Sequence, residues 1–150
     1  MPNYKLTYFN FKGRGEIIRY LLKYTNTEFV DNRIEFNDWA AHKASYPYGK
    51  LPVLEIDGTV YCQSLAIGRY LAKKAGLAGK SELDDLRIDA IIDTIDDFVS
   101  VFPWTGEEKA VKEYMEKSAP PVLSGLEKEL GNNKWFTGDY VSILLIVRVS

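Results

Sequence analysis

From Tyr4 to Phe9 the side chains alternate and are rich in aromatics, which predicts a strand. Residues 14–25 change period. Ile17, Ile18, Leu21 and Leu22 fall on one helical face, with Tyr24 and Thr25 near its end. Glu28 to Ile34 predicts a second short strand, and Asn37-Asp38-Trp39 offers polar caps for a short helix ending before Tyr46-Pro47. From Leu51 to Tyr61 two short strands flank Asp57-Gly58, a strong hairpin signal. Gln63-Ser64 then caps a helix through Leu65, Ile67, Tyr70 and Leu71, closed by Gly76. A helix between the first two strands implies that they pair in parallel, and the hairpin adds antiparallel strands. The expectation is a small mixed sheet with helices on both faces.

Residues 76–81, Gly-Leu-Ala-Gly-Lys-Ser, are mostly small and read as a linker. Beyond them the pattern turns helical. Ile88, Ile91, Ile92, Ile95, Phe98, Val99 and Phe102 keep helical spacing between Ser81 and Phe102, and Ser81 with Asp84 makes a capping box in which Asp replaces the better Glu. A second helical stretch runs from about Glu107 to Leu130, disturbed by Pro120-Pro121 and ended by Gly131-Asn132-Asn133. The expected organisation is an α/β domain over 1–75, helices over 82–140, and an apolar tail over 141–150. That tail is β-branched and nearly uncharged, the composition of a buried strand or an aggregation-prone segment.

Composition narrows the function classes. A hydrophobic content of 46% with 27% charged residues is that of a folded globular chain rather than a disordered one. A net charge of -2 with no basic stripe argues against nucleic acid as a partner. The single cysteine, Cys62, leaves no internal disulfide and fits a reducing compartment. The N-terminal residues carry no apolar signal core, and no apolar run reaches the roughly 20 residues of a membrane helix. A cytoplasmic protein without a membrane partner is expected.

Several positions carry possible chemistry. Tyr8 precedes the loop Asn10-Phe11-Lys12-Gly13-Arg14-Gly15 and a helix start, where α/β folds place ligand groups; it also suits packing at a strand edge. Pro52 stands just before a strand, either cis, turning the Leu51 backbone towards a peptide-like ligand, or trans as a plain strand start. The backbone amides and hydroxyl at Gln63-Ser64 suit a carboxylate, or simply cap the helix. Trp39 shares a helical face with His42 and Lys43, of which Lys43 suits an anionic ligand and His42 a surface position. Asp93, Asp96 and Asp97 crowd one face, either to meet a cation or as a solvated surface. Cys62 has no base near it in sequence and reads as a small apolar residue.

Taken together, these segments resemble a known family. The run Pro2 to Asn10 followed by Gly13-Arg14-Gly15-Glu16-Ile17-Ile18-Arg19 is similar to the start of sigma-class glutathione transferases. So are Tyr48-Gly49-Lys50-Leu51-Pro52-Val53-Leu54, Gln63-Ser64-Leu65-Ala66-Ile67 and Asp93-Thr94-Ile95-Asp96-Asp97-Phe98. Within that class the likeness is strongest to the haematopoietic, glutathione-dependent prostaglandin D synthases, over residues 1 to about 141. The resemblance implies a thioredoxin-like domain followed by an all-α domain. It implies that Tyr8 stabilises the glutathione thiolate and that Arg14 helps hold that charge. Trp39 and Lys43 match the cradle of the glycine end. Gly49, Lys50 and the Leu51 backbone match the clasp on the cysteinyl part, and Gln63 and Ser64 the γ-glutamyl site. Asp97 matches a residue reaching across a homodimer, and Asp93, Asp96 and Asp97 a Mg²⁺ or Ca²⁺ cluster at that interface. Phe11, Val99 and Trp104 match the wall of the second-substrate pocket.

The likeness also has departures. Phe11 and Val99 stand where the vertebrate synthases often carry methionine, which implies a differently shaped pocket. Past Val141 the family continues with a Thr-Trp-Ala-Asp-Phe-like stretch and further helices, whereas this sequence runs Ser142-Ile143-Leu144 to Ser150. A truncated helical domain with a divergent tail is therefore expected. Two functions follow: a transferase that conjugates hydrophobic electrophiles or isomerises prostaglandin H2 to D2, or a non-catalytic structural relative or inactive isoform.

Overall fold

The computed structural model describes residues 1–143. They divide into two compact units, one of Met1–Leu77 and one beginning at Ala78.

The first unit opens with β1 (Tyr4–Phe9), α1 (Glu16–Tyr24) and β2 (Phe29–Ile34). A short helix α2 (Trp39–His42) and single turns of 3₁₀ helix lead to β3 (Val53–Ile56), β4 (Thr59–Cys62) and α3 (Ser64–Lys74). The strands lie in the order β2-β1-β3-β4. β1 runs parallel to β2 and antiparallel to β3, and β4 returns against β3. This is the thioredoxin-like arrangement. Asp57 and Gly58 both take positive φ, 48° and 83°, as the two-residue turn of a right-twisted hairpin demands. Asn3 N–H donates to the Asp57 carboxylate (2.8 Å) while Asp57 N–H donates to the Asn3 carbonyl (3.0 Å), which clips the start of β1 to that turn.

Leu6 and Leu54 face each other across β1 and β3 and are fully buried with Ile18, Leu21 and Leu22 of α1. Burying side chains of this size supplies about 1.5–3 kcal/mol each before entropy is counted. α1 and α3 pack on one another, and both pack their buried side chains into the core under the sheet.

The second unit contains α4 (Glu82–Ser100), α5 (Glu108–Lys117) and α6 (Ala119–Leu130). Ser81 Oγ accepts the Asp84 N–H at 3.1 Å, so the expected cap forms, and Ile88, Ile91 and Ile92 of α4 are buried. Arg87 Nε donates to the Glu129 carboxylate at 2.8 Å and joins α4 to α6. The Tyr114 hydroxyl donates to the Phe98 carbonyl and joins α5 to the end of α4. The stretch predicted as one disturbed helix over Glu107–Leu130 is two helices. Pro120 sits in the first turn of α6, where the missing N–H has no intrahelical partner anyway. The prolines therefore start a helix instead of bending one. Of the apolar tail, Ser142 and Ile143 are buried; the rest of the strand expectation lies outside the described residues. Among the described residues no helix is long and apolar enough to cross a membrane.

Candidate functional site

Strand register gathers the first unit's candidates at one end of the sheet. Thr7, Val53 and Cys62 form a row across β1, β3 and β4. The next residue outward on each chain is Tyr8, Pro52 and Gln63. Sequence separations of 44 and 11 between these (52 − 8 and 63 − 52) hide what the register makes adjacent.

Tyr8 is buried, 5% exposed. Its Oη accepts the backbone N–H of Arg14 at 3.2 Å. The ring lies 5.4 Å from Phe9 and 5.6 Å from Phe11, with the Arg19 guanidinium 5.8 Å from its centroid. Gly13 takes φ +128°, and a Cβ there would stand 3.1 Å from the Tyr8 hydroxyl. Burial raises the Tyr8 pKa above the ordinary phenol value; the Arg14 N–H and the charges of Arg14 and Arg19 oppose but do not cancel it. The phenol therefore stays protonated at neutral pH. With Arg14 donating to one lone pair, its own proton is available to an acceptor.

The Trp39 ring meets Phe9 edge-on at 5.4 Å and stacks on Tyr46 at 6.1 Å, so Phe9 links it to Tyr8. Lys43 follows α2 and is exposed. Its stem lies along Gly49, where a Cβ would come within 3.2 Å of Lys43 Cε, so Gly49 leaves room for that lysine. Lys50 is extended and exposed, and the Leu51–Pro52 bond is cis, one of the two predicted alternatives. The expected Gln63-Ser64 cap differs in detail. α3 begins at Ser64, which is buried. Gln63 takes φ 74° and makes no side-chain cap bond. His42 is exposed, and Cys62 is a half-buried free thiol ending β4.

In the second unit, Asp93 and Asp97 are exposed on α4, while Asp96 is half-buried and accepts the Ser100 hydroxyl at 3.5 Å. The Trp104 indole N–H donates to the Val99 carbonyl at 3.3 Å, which brings those two residues together and leaves Trp104 70% exposed. Phe11, in the first unit, is half exposed. Among the described residues no group of three or more His, Cys, Asp or Glu is placed to hold a metal ion.

Two residues gained importance only from the structure. Gly13 crowds the Tyr8 hydroxyl, and Arg19 is buried beside its ring. The available signal for Arg19 was its place on α1 beside Ile18 and Leu22, a charged residue on an otherwise apolar face.

Known proteins resemble this chain in sequence and fold. Residues 4–73 match the glutathione S-transferase N-terminal domain family. The haematopoietic prostaglandin D synthase of Rattus norvegicus is 49% identical over 147 residues, covering 95% of this chain and 74% of the relative. Glutathione S-transferase 1 of Ascaris suum is 39% identical, covering 89% and 69%. Among solved structures, rat hPGDS complexed with a quinoline superposes with a TM-score of 0.89 at 47% identity, covering 95% of this chain and 75% of the other. The glutathione S-transferase from Ascaris lumbricoides superposes at 0.80 and 36% identity, covering 95% and 76%. With the fold and these relatives in agreement, the chain belongs to the glutathione S-transferase family, in the sigma class that includes the haematopoietic prostaglandin D synthases.

Proposed function

We propose that this chain binds glutathione at the sheet end marked by Tyr8, Pro52 and Gln63 and uses Tyr8 to hold the bound sulfur as a thiolate. The observation that carries this is the buried Tyr8 hydroxyl at the sheet end, with one lone pair occupied by Arg14 N–H and its proton left to donate. Glutathione supplies the nucleophilic sulfur. Tyr8 donates to it, and the Arg14 charge adds to the favourable field. A free thiol titrates near 8.5, and one hydrogen bond to the charged form, about 1.5–3 kcal/mol, lowers that by roughly one to two units. The enzyme thereby presents a ready nucleophile at neutral pH without a general base.

The remaining residues bind and orient. Trp39 and Lys43, with the room left by Gly49, suit the glycine carboxylate; Lys50 and the Leu51 backbone suit the cysteinyl peptide. The free amides at the start of α3, with Ser64 and Gln63, suit the γ-glutamyl carboxylate. In a homodimer Asp97 of a second copy would meet the γ-glutamyl ammonium. A divalent cation at Asp93, Asp96 and Asp97 would likewise need ligands from a second copy, so no step is routed through it. Phe11 on the first unit and, separately, Val99 beside Trp104 on the second are apolar surface of the kind an acceptor requires, a hydrophobic electrophile or the endoperoxide prostaglandin H2. The relatives named as prostaglandin D synthases support the latter. A cytoplasmic setting, rich in reduced glutathione, fits this chemistry.

Glutathione titrated into the chain in a calorimeter, followed by turnover with a chloronitrobenzene and with prostaglandin H2, tests the reading. Saturable binding is expected, with a fall of one to two orders of magnitude in kcat/KM for Tyr8→Phe at neutral pH. Unchanged turnover in Tyr8→Phe would remove the tyrosine from the mechanism.

A further inference from the structure

The loop after β1 carries Phe11, Gly13 and Arg14, and its backbone supplies the N–H that meets the Tyr8 hydroxyl. A loop with two glycines is not held by its own conformational preferences. Its far end is closed by Glu16 N–H on the Gly13 carbonyl at 2.9 Å, and its first half is held by a buried arginine. Arg19 of α1 is 6% exposed at its side chain. Its Nη2 donates to the Phe9 carbonyl at 3.2 Å and its Nη1 to the Phe11 carbonyl at 3.1 Å. Nη1 also meets the Glu16 carboxylate at 2.9 Å, and Nε donates to Asp31 Oδ1 at 3.1 Å. The second carboxylate oxygen of Asp31 takes Arg33 Nε at 2.9 Å, and Arg33 Nη1 donates to the Asn10 side chain at 3.1 Å. Asn10 in turn donates to Glu35 at 2.9 Å through its side chain, and to the Ile34 carbonyl at 3.2 Å through its backbone. Phe9, Asn10 and Phe11 are thus each tied to β2 or α1, through one carboxylate shared by two guanidinium groups.

The planar fork explains why arginine stands here. Four acceptors lie around a single guanidinium, and an ammonium on a flexible stem reaches them only a few at a time. Packing alone accounts for a buried apolar residue at this point of α1, between Ile18 and Leu22, but not for a charge.

We infer that Arg19, anchored by Asp31, is a positioning residue for Tyr8: it fixes the 9–14 loop so that Arg14 N–H occupies one lone pair of the phenol and leaves its proton for the bound sulfur. This rests on the reading of Tyr8 given above. Arg19 touches neither the sulfur nor the acceptor and acts through Tyr8.

Two charge-conserving variants separate position from charge. Arg19→Lys removes the fork, and Asp31→Glu, at a carboxylate one quarter exposed, displaces the anchor. In both, peptide-level hydrogen exchange over residues 10–16 is expected to quicken roughly tenfold or more, while β1 and β3 stay protected. With a chloronitrobenzene, kcat is expected to fall roughly tenfold and the KM for glutathione to move less than about twofold, because Lys43 and Ser64 hold the peptide elsewhere. The acid limb of kcat/KM is expected to rise by about half a unit to one unit. In a Tyr8→Phe background Arg19→Lys is expected to add little further loss, as for a residue acting through Tyr8. Unchanged loop exchange and an unchanged acid limb in both variants would overturn the inference and leave Arg19 as an ordinary buried ion pair. A full second loss in the Tyr8→Phe background would also overturn it. If Arg19→Lys does not fold, Asp31→Glu decides by the same readouts. If the unmodified chain shows no thiolate chemistry, the reading of Tyr8 fails, and loop exchange alone then supports or overturns the Arg19 clamp.

Discussion

Burial outweighs the two arginines and the Arg14 N–H around Tyr8 and raises its pKa above the ordinary phenol value. This has a sign that kinetics reads directly. As pH rises from acid, kcat/KM is expected to increase as the bound thiol ionises. It then holds level through mildly alkaline pH, because the donor does not ionise there. A bell whose alkaline limb disappears in Tyr8→Phe would show that the phenol titrates early and contradict its raised pKa. Gly13 makes a second test at this scale. Its φ of +128° excludes a side chain, and a Cβ would press on the Tyr8 hydroxyl at 3.1 Å. Gly13→Ala is expected to cost about 1–3 kcal/mol in urea unfolding and to lower turnover as well. Position alone left Tyr8 between a ligand group and packing at a strand edge, and only the resemblance of the surrounding run to sigma-class glutathione transferases pointed to the thiolate. Arg19 was not legible in the sequence, since hydrophobic periodicity assigns a charged residue to solvent. Only its four acceptors, drawn from three segments, reveal why it is buried.

Helix boundaries record how local chemistry is read from sequence. The Ser81 cap was legible because Oγ needs only an N–H three residues on, and Asp84 supplies it. Ser81→Ala is expected to destabilise α4 by about 1 kcal/mol, read as a shift in the urea midpoint at constant slope. Two other boundaries behaved differently. Pro120-Pro121 signals that a helix cannot continue, but the same residues begin one equally well, and sequence spacing does not distinguish the cases. At α3 the Gln63 backbone turns through positive φ, so neither it nor Ser64 caps in the ordinary way. Nothing in the residue types Gln63-Ser64 announces that backbone turn, which is why the cap predicted from them differs in detail. The convergence of Tyr8, Pro52 and Gln63 is equally unannounced. Each was visible as a candidate, but their adjacency comes from strand register, which pairs residues far apart in sequence.

Among the described residues the two units are unequally provided with core. Leu6, Ile18, Leu21, Leu22 and Leu54 are fully buried in the first, whereas Ile92 alone among the large side chains described is so in the second. The later part of the α4 stripe, Ile95, Phe98 and Val99, is only half-buried although its spacing continues. Urea is therefore expected to open the helical unit first. Trp39 reports on the first unit and Trp104 and Trp135 on the second, so tryptophan-to-phenylalanine variants resolve the order by fluorescence. Coincident transitions would instead show that the units unfold as one. The mixed sheet and the run of helices were legible from the change of period near residue 80, because period reports which faces are apolar. It does not report how well each face is covered, which is why the half-burial of Ile95, Phe98 and Val99 was not.

β1 lies between β2 and β3, and this placement has a consequence for synthesis. Lys5 is opposite Val30 on one side and Glu55 on the other, the latter 50 residues further on (55 − 5). At roughly 5–20 residues per second, a ribosome makes the first strand several seconds before its antiparallel neighbour. In that interval the nascent chain presents an aromatic strand with one edge unpaired, so chaperones that bind emerging chains have their strongest reason to engage here between the making of β1 and the making of β3.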